Sequence, residues 1–199
     1  KGKIIPFLDK LSPEAEKSQS VNTIYKEKNA IIGHNTDIAG FELAVRHFKY
    51  DIKGKNIFIL GAGGVVSSII IALRKLEVSQ IIISNRTKKK AENLQKFFKE
   101  IEIVEWGETP NFDMVINATS IGLKTEDEIK INYENIGPNK FYYDVIYNPK
   151  QTNFLKKAKK FGNRAENGKM MFIYQAHQAF TLWHKLMPDI DDETIKLLD

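Results

Sequence analysis

The sequence predicts an α/β fold: a parallel sheet with helices on both faces, joined to a partial second domain to which the C-terminal helices return. Three observations predict it. Strands are expected at 56–60, 79–84, 101–105, 112–117 and 140–145, with helical stretches at 64–76 and 88–99 between them. Strands that alternate with helices pair in parallel through right-handed crossovers. The first strand, Asn56-Ile57-Phe58-Ile59-Leu60, runs straight into Gly61-Ala62-Gly63-Gly64, and the chain beyond Gly168 reads as helix rather than as further alternation.

In chain order, residues 1–36 read as a helical or turn segment from Ile4 to Leu11 and a helix start at Ser12-Pro13-Glu14. An extended stretch from Ile24 to Ile32, bent at Lys28-Asn29, follows. Pieces shorter than about 40 residues rarely fold unaided, and the chain opens on Lys1 rather than Met. A preceding N-terminal piece is therefore expected to complete this domain. Residues 37–53 form a linking helix, in which Ile38, Phe41, Val45 and Phe48 make one apolar stripe and Asp37 sits in the first turn. After the Lys53-Gly54-Lys55 turn, residues 54–166 carry the sheet. The unbroken run from Val65 to Leu73 reads as a buried helix on that sheet. Thr152 opens a helix bearing Phe154, Leu155, Ala158 and Phe161, and Gly162 ends it in the left-handed cap position. Residues 167–199 are the returning helices, one from Gly168 through Lys185 and one from about Asp191 to Leu198 with an acidic first turn that suits the helix dipole.

The glycine turn has a chemical reading. Glycines after a strand let the backbone turn sharply and approach a pyrophosphate, which sits on the amides and positive dipole end of the next helix. The second strand, Gln80-Ile81-Ile82-Ile83-Ser84, ends in Asn85-Arg86-Thr87, with Arg86 25 positions after Gly61. A fold that binds NAD offers an acid there for the ribose hydroxyls. A guanidinium would instead clamp a 2′-phosphate that a carboxylate would repel, which selects NADP. The third motif position is the bulky Val66, so the glycine cluster alone is weak and an ordinary strand-turn-helix corner is the bland alternative. The basic residue on the right element tips the reading to a Rossmann-like NADP (NADPH) domain.

Composition narrows the classes. The chain has 199 residues, 42% hydrophobic and 28% charged, which is the balance of a globular protein with ample length for a core. With no cysteine, disulfides, thiolate catalysis and cysteine-ligated zinc drop out, and a reducing, cytoplasmic setting fits. No apolar run approaches the roughly 20 residues of a membrane helix, and no signal peptide is visible. The net charge of +5 is scattered. Lys88-Lys89-Lys90 and Lys156-Lys157 with Lys159-Lys160 are short clusters on expected helices, not a continuous basic face, so a nucleic-acid partner is not expected. No metal site is expected either.

Several polar residues stand where packing does not call for them. Asn22-Thr23 begins an extended segment, and Asn35-Thr36-Asp37 lies where a strand hands over to a helix. The ordinary reading of Asp37 is a helix-start charge. Asn117-Ala118-Thr119-Ser120 follows the strand Met114-Val115-Ile116, at the carboxyl edge where open α/β sheets bind ligands, and its ordinary reading is a polar loop. Gln175 shares a helical face with Met171, Gln178 and Leu182 and reads equally as a solvated amide.

Taken together, these strings resemble the shikimate dehydrogenase family. The resemblance runs through Lys1, Val21-Asn22-Thr23, Asn35-Thr36-Asp37, Gly61-Ala62-Gly63-Gly64, Asn85-Arg86-Thr87, Asn117-Ala118-Thr119-Ser120, Tyr143-Asp144 with Tyr147, and Gly168 through Gln175-Ala176 to Phe180 and Trp183. Each motif is weak alone, but eight in order cover nearly the whole chain. The resemblance implies a substrate domain made of residues 1–36 and the C-terminal helices, an inserted NADP domain, and a cleft for 3-dehydroshikimate or shikimate.

By position, Lys1 and Asp37 would be the catalytic pair, Asn22, Tyr143 and Gln175 the substrate contacts, and Asn85, Arg86, Thr87 and Lys90 the adenosine side. Without the resemblance, Lys1 would read as a frayed, solvated terminus. Gly61, Ala62, Gly63, Gly64, Asn117, Ala118 and Thr119 would also line the cofactor, with the Gly168 carbonyl and Met171 at the nicotinamide. Lys90 stands where the family often has Arg, so a point charge replaces a planar fork. The family's serine-containing and Asn-Val-Thr segments, which contact the substrate, would lie upstream of Lys1. This chain is therefore expected to bind NADP better than it turns over substrate, and restoring such a segment to raise activity. Monomer and homodimer both fit.

Two alternatives remain at this level: a quinate/shikimate dehydrogenase, which accepts quinate and often NAD, and a non-catalytic NADP-binding fragment. Arg86 predicts that turnover with NADPH far exceeds that with NADH. A side-by-side rate comparison checks this, and near-equal efficiency would favour the quinate enzyme.

Overall fold

The computed structural model describes residues 1–198, so Asp199, the end of the expected C-terminal portion, lies outside the described residues. After a short 3-10 segment, Gly2–Phe7, the elements are β1 (Lys10–Leu11), α1 (Pro13–Ser18), β2 (Thr23–Glu27), β3 (Ala30–His34), α2 (Asp37–His47), β4 (Asn56–Leu60), α3 (Val66–Lys75), β5 (Gln80–Ser84), α4 (Lys88–Phe97), β6 (Glu102–Val104), β7 (Met114–Asn117), α5 (Tyr133–Ile136), β8 (Phe141–Asp144), α6 (Asn153–Lys160), β9 (Arg164–Glu166), α7 (Lys169–His184) and α8 (Asp192–Lys196). The chain divides into two compact units. One holds Lys1–Asp51, Gly64–Leu76 and Met170–Asp199, the other Ile52–Gly63 and Glu77–Lys169. The helix expected to link the domains falls within the first unit, as does α3.

In the first unit a three-stranded sheet runs in the order β1-β3-β2. The stretch expected to be extended and bent is a hairpin: β2 and β3 pair antiparallel from Thr23↔His34 to Glu27↔Ala30. Lys28 takes the left-handed φ of 53° that so tight a reversal requires. Lys10-Leu11, expected in a helical or turn segment, is a strand parallel to β3. Ser12 caps α1, its hydroxyl accepting from the Ala15 amide at 3.2 Å. The Trp183 indole on α7 donates to the Ile24 carbonyl of edge strand β2 at 2.9 Å, tying the returning helix to the sheet.

The second unit is built on six parallel strands in the order β6-β5-β4-β7-β8-β9. The strands β7 and β8 are buried at every position, as expected when both faces of a parallel sheet are covered. One face packs Phe58, Leu60, Ile82, Val115, Tyr142 and Ala165 against Phe112, Ile129, Phe154, Leu155 and Ala158. At roughly 1.5–3 kcal/mol for each large side chain removed from water, such a layer is a main source of this unit's stability. The strand β9 was not expected, because Arg164-Ala165-Glu166 is short and two of its three residues are charged. It is recruited at the sheet edge by pairing with β8, from Phe141↔Arg164 to Tyr143↔Glu166.

The register lines up the carboxyl ends of the strands. Leu60 pairs with Ser84 and with Asn117, Asn117 pairs with Asp144, and Ser84 pairs with Val104. The loops that follow these residues therefore leave the sheet from one edge. Gly61 begins one of them at φ 114°, and a Cβ there would stand 2.8 Å from the Ala118 carbonyl oxygen of the neighbouring loop. Gly168, after β9, is tighter still, since a Cβ would fall 2.0 Å from the Val145 carbonyl oxygen. Its own amide donates to the Ile146 carbonyl at 3.1 Å. The Gly168→Ala variant should lose about 1–3 kcal/mol of stability through overpacking of backbone on backbone. A lower urea midpoint at unchanged slope is the expected result.

Candidate functional site

In the first unit the polar residues singled out in the sequence converge. The Lys1 ammonium donates to one oxygen of the Asp37 carboxylate and forms an ion pair with it. The Asn22 amide donates to the other Asp37 oxygen at 2.9 Å and to the Thr36 hydroxyl at 3.0 Å. The Asn22 carbonyl oxygen accepts from the Thr36 amide at 2.9 Å, and the Asn22 backbone amide donates to the His34 carbonyl at 3.1 Å. Asn22 is thus clamped from the start of β2, the end of β3 and the start of α2. Asp37 is buried and lies in the first turn of α2, where the helix dipole favours its charge. Lys1, with 36% of its side chain exposed, reaches it from outside. Lys1 and Asn22 also line a cavity of about 520 Å³ with Lys3, Ile4, Val21 and Ile24.

Gln175 reaches this cluster from α7, its amide oxygen 3.4 Å from the Thr36 hydroxyl and 3.5 Å from the Asn22 amide nitrogen. What brings α7 so close is Gly40, one turn into α2. A Cβ at that position would meet the Gln175 Cβ at 2.8 Å and the Met171 carbonyl oxygen at 3.0 Å.

A second residue the sequence reading left without a role, Asn35, anchors the layer beneath. It is 1% exposed and donates to the Ser20 carbonyl at 2.8 Å and to the Ser68 and Ser18 hydroxyls at 2.9 and 3.2 Å. Its own oxygen accepts from the Ile38 amide at 3.2 Å, so Asn35 rather than Thr36 supplies the side-chain cap of α2. Buried amides on this scale require such complete pairing.

In the second unit a cavity of about 270 Å³ opens at the carboxyl edge of the sheet. Gly61, Ala62 and Gly63 line it after β4, Asn85, Arg86, Thr87 and Lys90 after β5, and Ala118 and Thr119 after β7, together with Ser120, Ile121 and Trp106. Nine of the residues expected at the cofactor thus share one pocket. Asn117 stands behind it, 0% exposed, accepting from the Thr119 amide and hydroxyl at 3.0 and 2.7 Å and so shaping the loop. Gly64 and Met171 belong to the first unit, where the Gly64 carbonyl accepts from the Ser20 hydroxyl at 3.1 Å. The pocket suits a phosphorylated dinucleotide: glycine backbone for phosphates, two cations beyond β5, and no carboxylate among its lining residues. Among the described residues no cluster of His, Asp or Glu could hold a metal, and no helix is long and apolar enough to cross a membrane.

Tyr143 is not placed to touch a substrate. It lies within β8 and is 0% exposed, and burial pushes its phenol well above the usual tyrosine range, with the Asp144 and Glu166 charges adding to the shift. In a strand buried on both faces every side chain is enclosed, and only residues past the carboxyl end can reach a ligand. Tyr147, three residues beyond the end of β8 and 36% exposed, meets that condition. It stands in the same motif, and the discriminating signal was its position after the strand rather than in it.

Asp144 ends β8 and is also 0% exposed. It accepts from the Thr152 hydroxyl at 2.6 Å, the Asn117 amide at 3.0 Å and the Ile146 backbone amide at 3.0 Å. One carboxylate therefore joins the loop after β7, the loop after β8 and the start of α6. Burial nevertheless pushes its pKa up from 3.8 to about 6, against those three hydrogen bonds. Between the two values the folded protein binds this proton more tightly than the unfolded chain, so the group's contribution to stability falls as pH rises through the window. Two units correspond to about 3 kcal/mol. Relative to Asp144→Asn, the wild-type protein should gain stability by that order between neutral pH and about pH 4. Urea unfolding across the range checks this, and a flat difference would refute it.

Comparison with known proteins gives the family and the fold. Residues 42–132 match the family described as shikimate / quinate 5-dehydrogenase. A shikimate dehydrogenase (NADP(+)) of Pelagibacter ubique is 65% identical over 196 residues, covering 98% of this chain and 74% of the relative. Among solved structures, a shikimate dehydrogenase from Aquifex aeolicus matches 100% of this chain and 73% of its own at 33% identity and TM-score 0.88. The shikimate 5-dehydrogenase of Thermus thermophilus, solved in complex with NADP(H) and shikimate, matches at 29% identity and TM-score 0.87 over 100% of this chain and 74% of its own. With identity this high across nearly all of its length, the chain belongs to the shikimate / quinate 5-dehydrogenase family.

Proposed function

We propose that this protein is an NADP-dependent shikimate dehydrogenase. It would catalyse the reversible reduction of 3-dehydroshikimate to shikimate, a step of chorismate and aromatic amino acid biosynthesis. The observation that carries the reading is the Lys1–Asp37 pair, held by Asn22 and flanked by Gln175. A nucleotide-binding module has no need of it. The relative of highest identity quoted above carries that activity in its name, and NADP is the cofactor the pocket chemistry favours.

When bound, NADPH supplies the hydride to the carbonyl carbon. The chain's own residues supply the rest. The Lys1 ammonium would donate its proton to the carbonyl oxygen and become the neutral amine, and in the oxidation direction that neutral amine would take the hydroxyl proton and return to ammonium. Asp37 orients Lys1 through one oxygen and is itself fixed through the other by Asn22, so the lysine is not free to swing. Asn22 and Gln175 present further amide groups for ring hydroxyls. Arg86 and Lys90 hold the 2′-phosphate and exclude NAD by leaving its ribose without an acceptor. The Gly168 carbonyl and Met171 are assigned to the nicotinamide end, and Tyr147 takes the role first given to Tyr143. A cytoplasmic enzyme acting as monomer or homodimer is part of this reading.

The protein should form NADPH when given NADP+ and shikimate. Lys1→Ala should lower kcat by about 10²–10⁴-fold, the usual weight of a general acid–base group, and Asp37→Asn should lower it by less through loss of that lysine's orientation, both leaving the NADP+ dissociation constant unchanged. Equal turnover of quinate would move the assignment to a quinate/shikimate enzyme. NADP+ binding with turnover of neither, even after an upstream segment is restored, would leave only a binding module.

A further inference from the structure

The cofactor pocket contains one aromatic wall that the sequence reading did not assign. The strands β5 and β6 pair through Ser84↔Val104. Two residues beyond each, Arg86 and Trp106 both line the cavity. Neighbouring strands lie about 4.8 Å apart, so the two side chains leave adjacent points of the same edge. The Trp106 stretch is held in place. The Ser84 hydroxyl donates to the Glu105 carbonyl at 3.0 Å, the Glu105 amide donates to the Glu108 carboxylate at 3.1 Å, and Lys88 pairs with the Glu105 carboxylate. Trp106 is also partly buried against the apolar cluster beneath the sheet, beside Val104 and Ile121. A ring backed by core on one side and open to a pocket on the other is a rigid plate.

Arg86, Lys90 and the glycine turn answer the phosphates, and the remaining lining residues other than Trp106 and Ile121 are small or polar. Nothing else on that rim offers a flat apolar face to a purine. We propose that Trp106 is the base-stacking wall of this pocket and that the adenine of the cofactor lies against its indole. The proposal rests on the dinucleotide reading above.

The chain contains two tryptophans, so Trp183→Phe leaves Trp106 as the sole tryptophan, read by exciting at the red edge where tyrosine does not absorb. Adenosine 2′,5′-bisphosphate, which fills only the adenosine half, should quench that emission saturably, while nicotinamide mononucleotide should not. Trp106→Ala should weaken binding of the bisphosphate by roughly ten-fold, and Trp106→Phe should recover most of it, as expected for base stacking on an aromatic ring. Calorimetry on the unmodified protein separates the failures. Bisphosphate binding with unchanged Trp106 emission, or with wild-type affinity in Trp106→Ala, would overturn the stacking and leave the dinucleotide reading standing. Absence of heat with both NADP+ and the bisphosphate would overturn that reading, and the stacking with it.

Discussion

The in-register parallel pairing of β4, β5, β7 and β8 is the constraint on which the second unit depends. It sets Leu60, Ser84, Asn117 and Asp144 in one row. Much of the lining of the pocket at this edge follows that row by a residue or two: the glycine turn after Leu60, Arg86 after Ser84, Ala118 and Thr119 after Asn117. A shift of one residue in any pair would turn every side chain of that strand to the opposite face. Burial of the row makes such slippage costly, because Asn117 and Asp144 satisfy each other only in this register. The same hydrogen bond that compensates two buried polar groups therefore fixes where the loops begin.

The first unit solves a different problem, which is to bury charge and amide groups beside an open cavity. An isolated carboxylate in such a place is strongly unfavourable. Here Asp37 has a cation on one oxygen and an amide on the other, at the positive end of a helix. Asn35 and the serines around it form a second polar layer below, each group paired. Side chains held in this way from several elements have little conformational freedom left to lose.

Much of this was legible beforehand, and the misses share a cause. The strands 56–60 and 79–84 and the helices after them stood out because apolar runs and their breakers are local signals. The convergence of Lys1, Asn22, Asp37 and Gln175 came from ordered motifs and not from periodicity. The elements that escaped, β1 and β9, are two and three residues long and exist through pairing with a distant neighbour. Tyr143 was mistaken for a contact because a motif does not say which of its residues lie inside a strand. Asn35, Gly40 and Trp106 escaped because their roles lie in what stands next to them across the fold.

Gly40 shows how far such a role can reach. It carries no functional group, yet the absent methyl is the space that the Gln175 stem occupies. Any larger side chain at this position would therefore displace Gln175 and the backbone of α7 beside it while leaving every polar group of the cluster chemically intact.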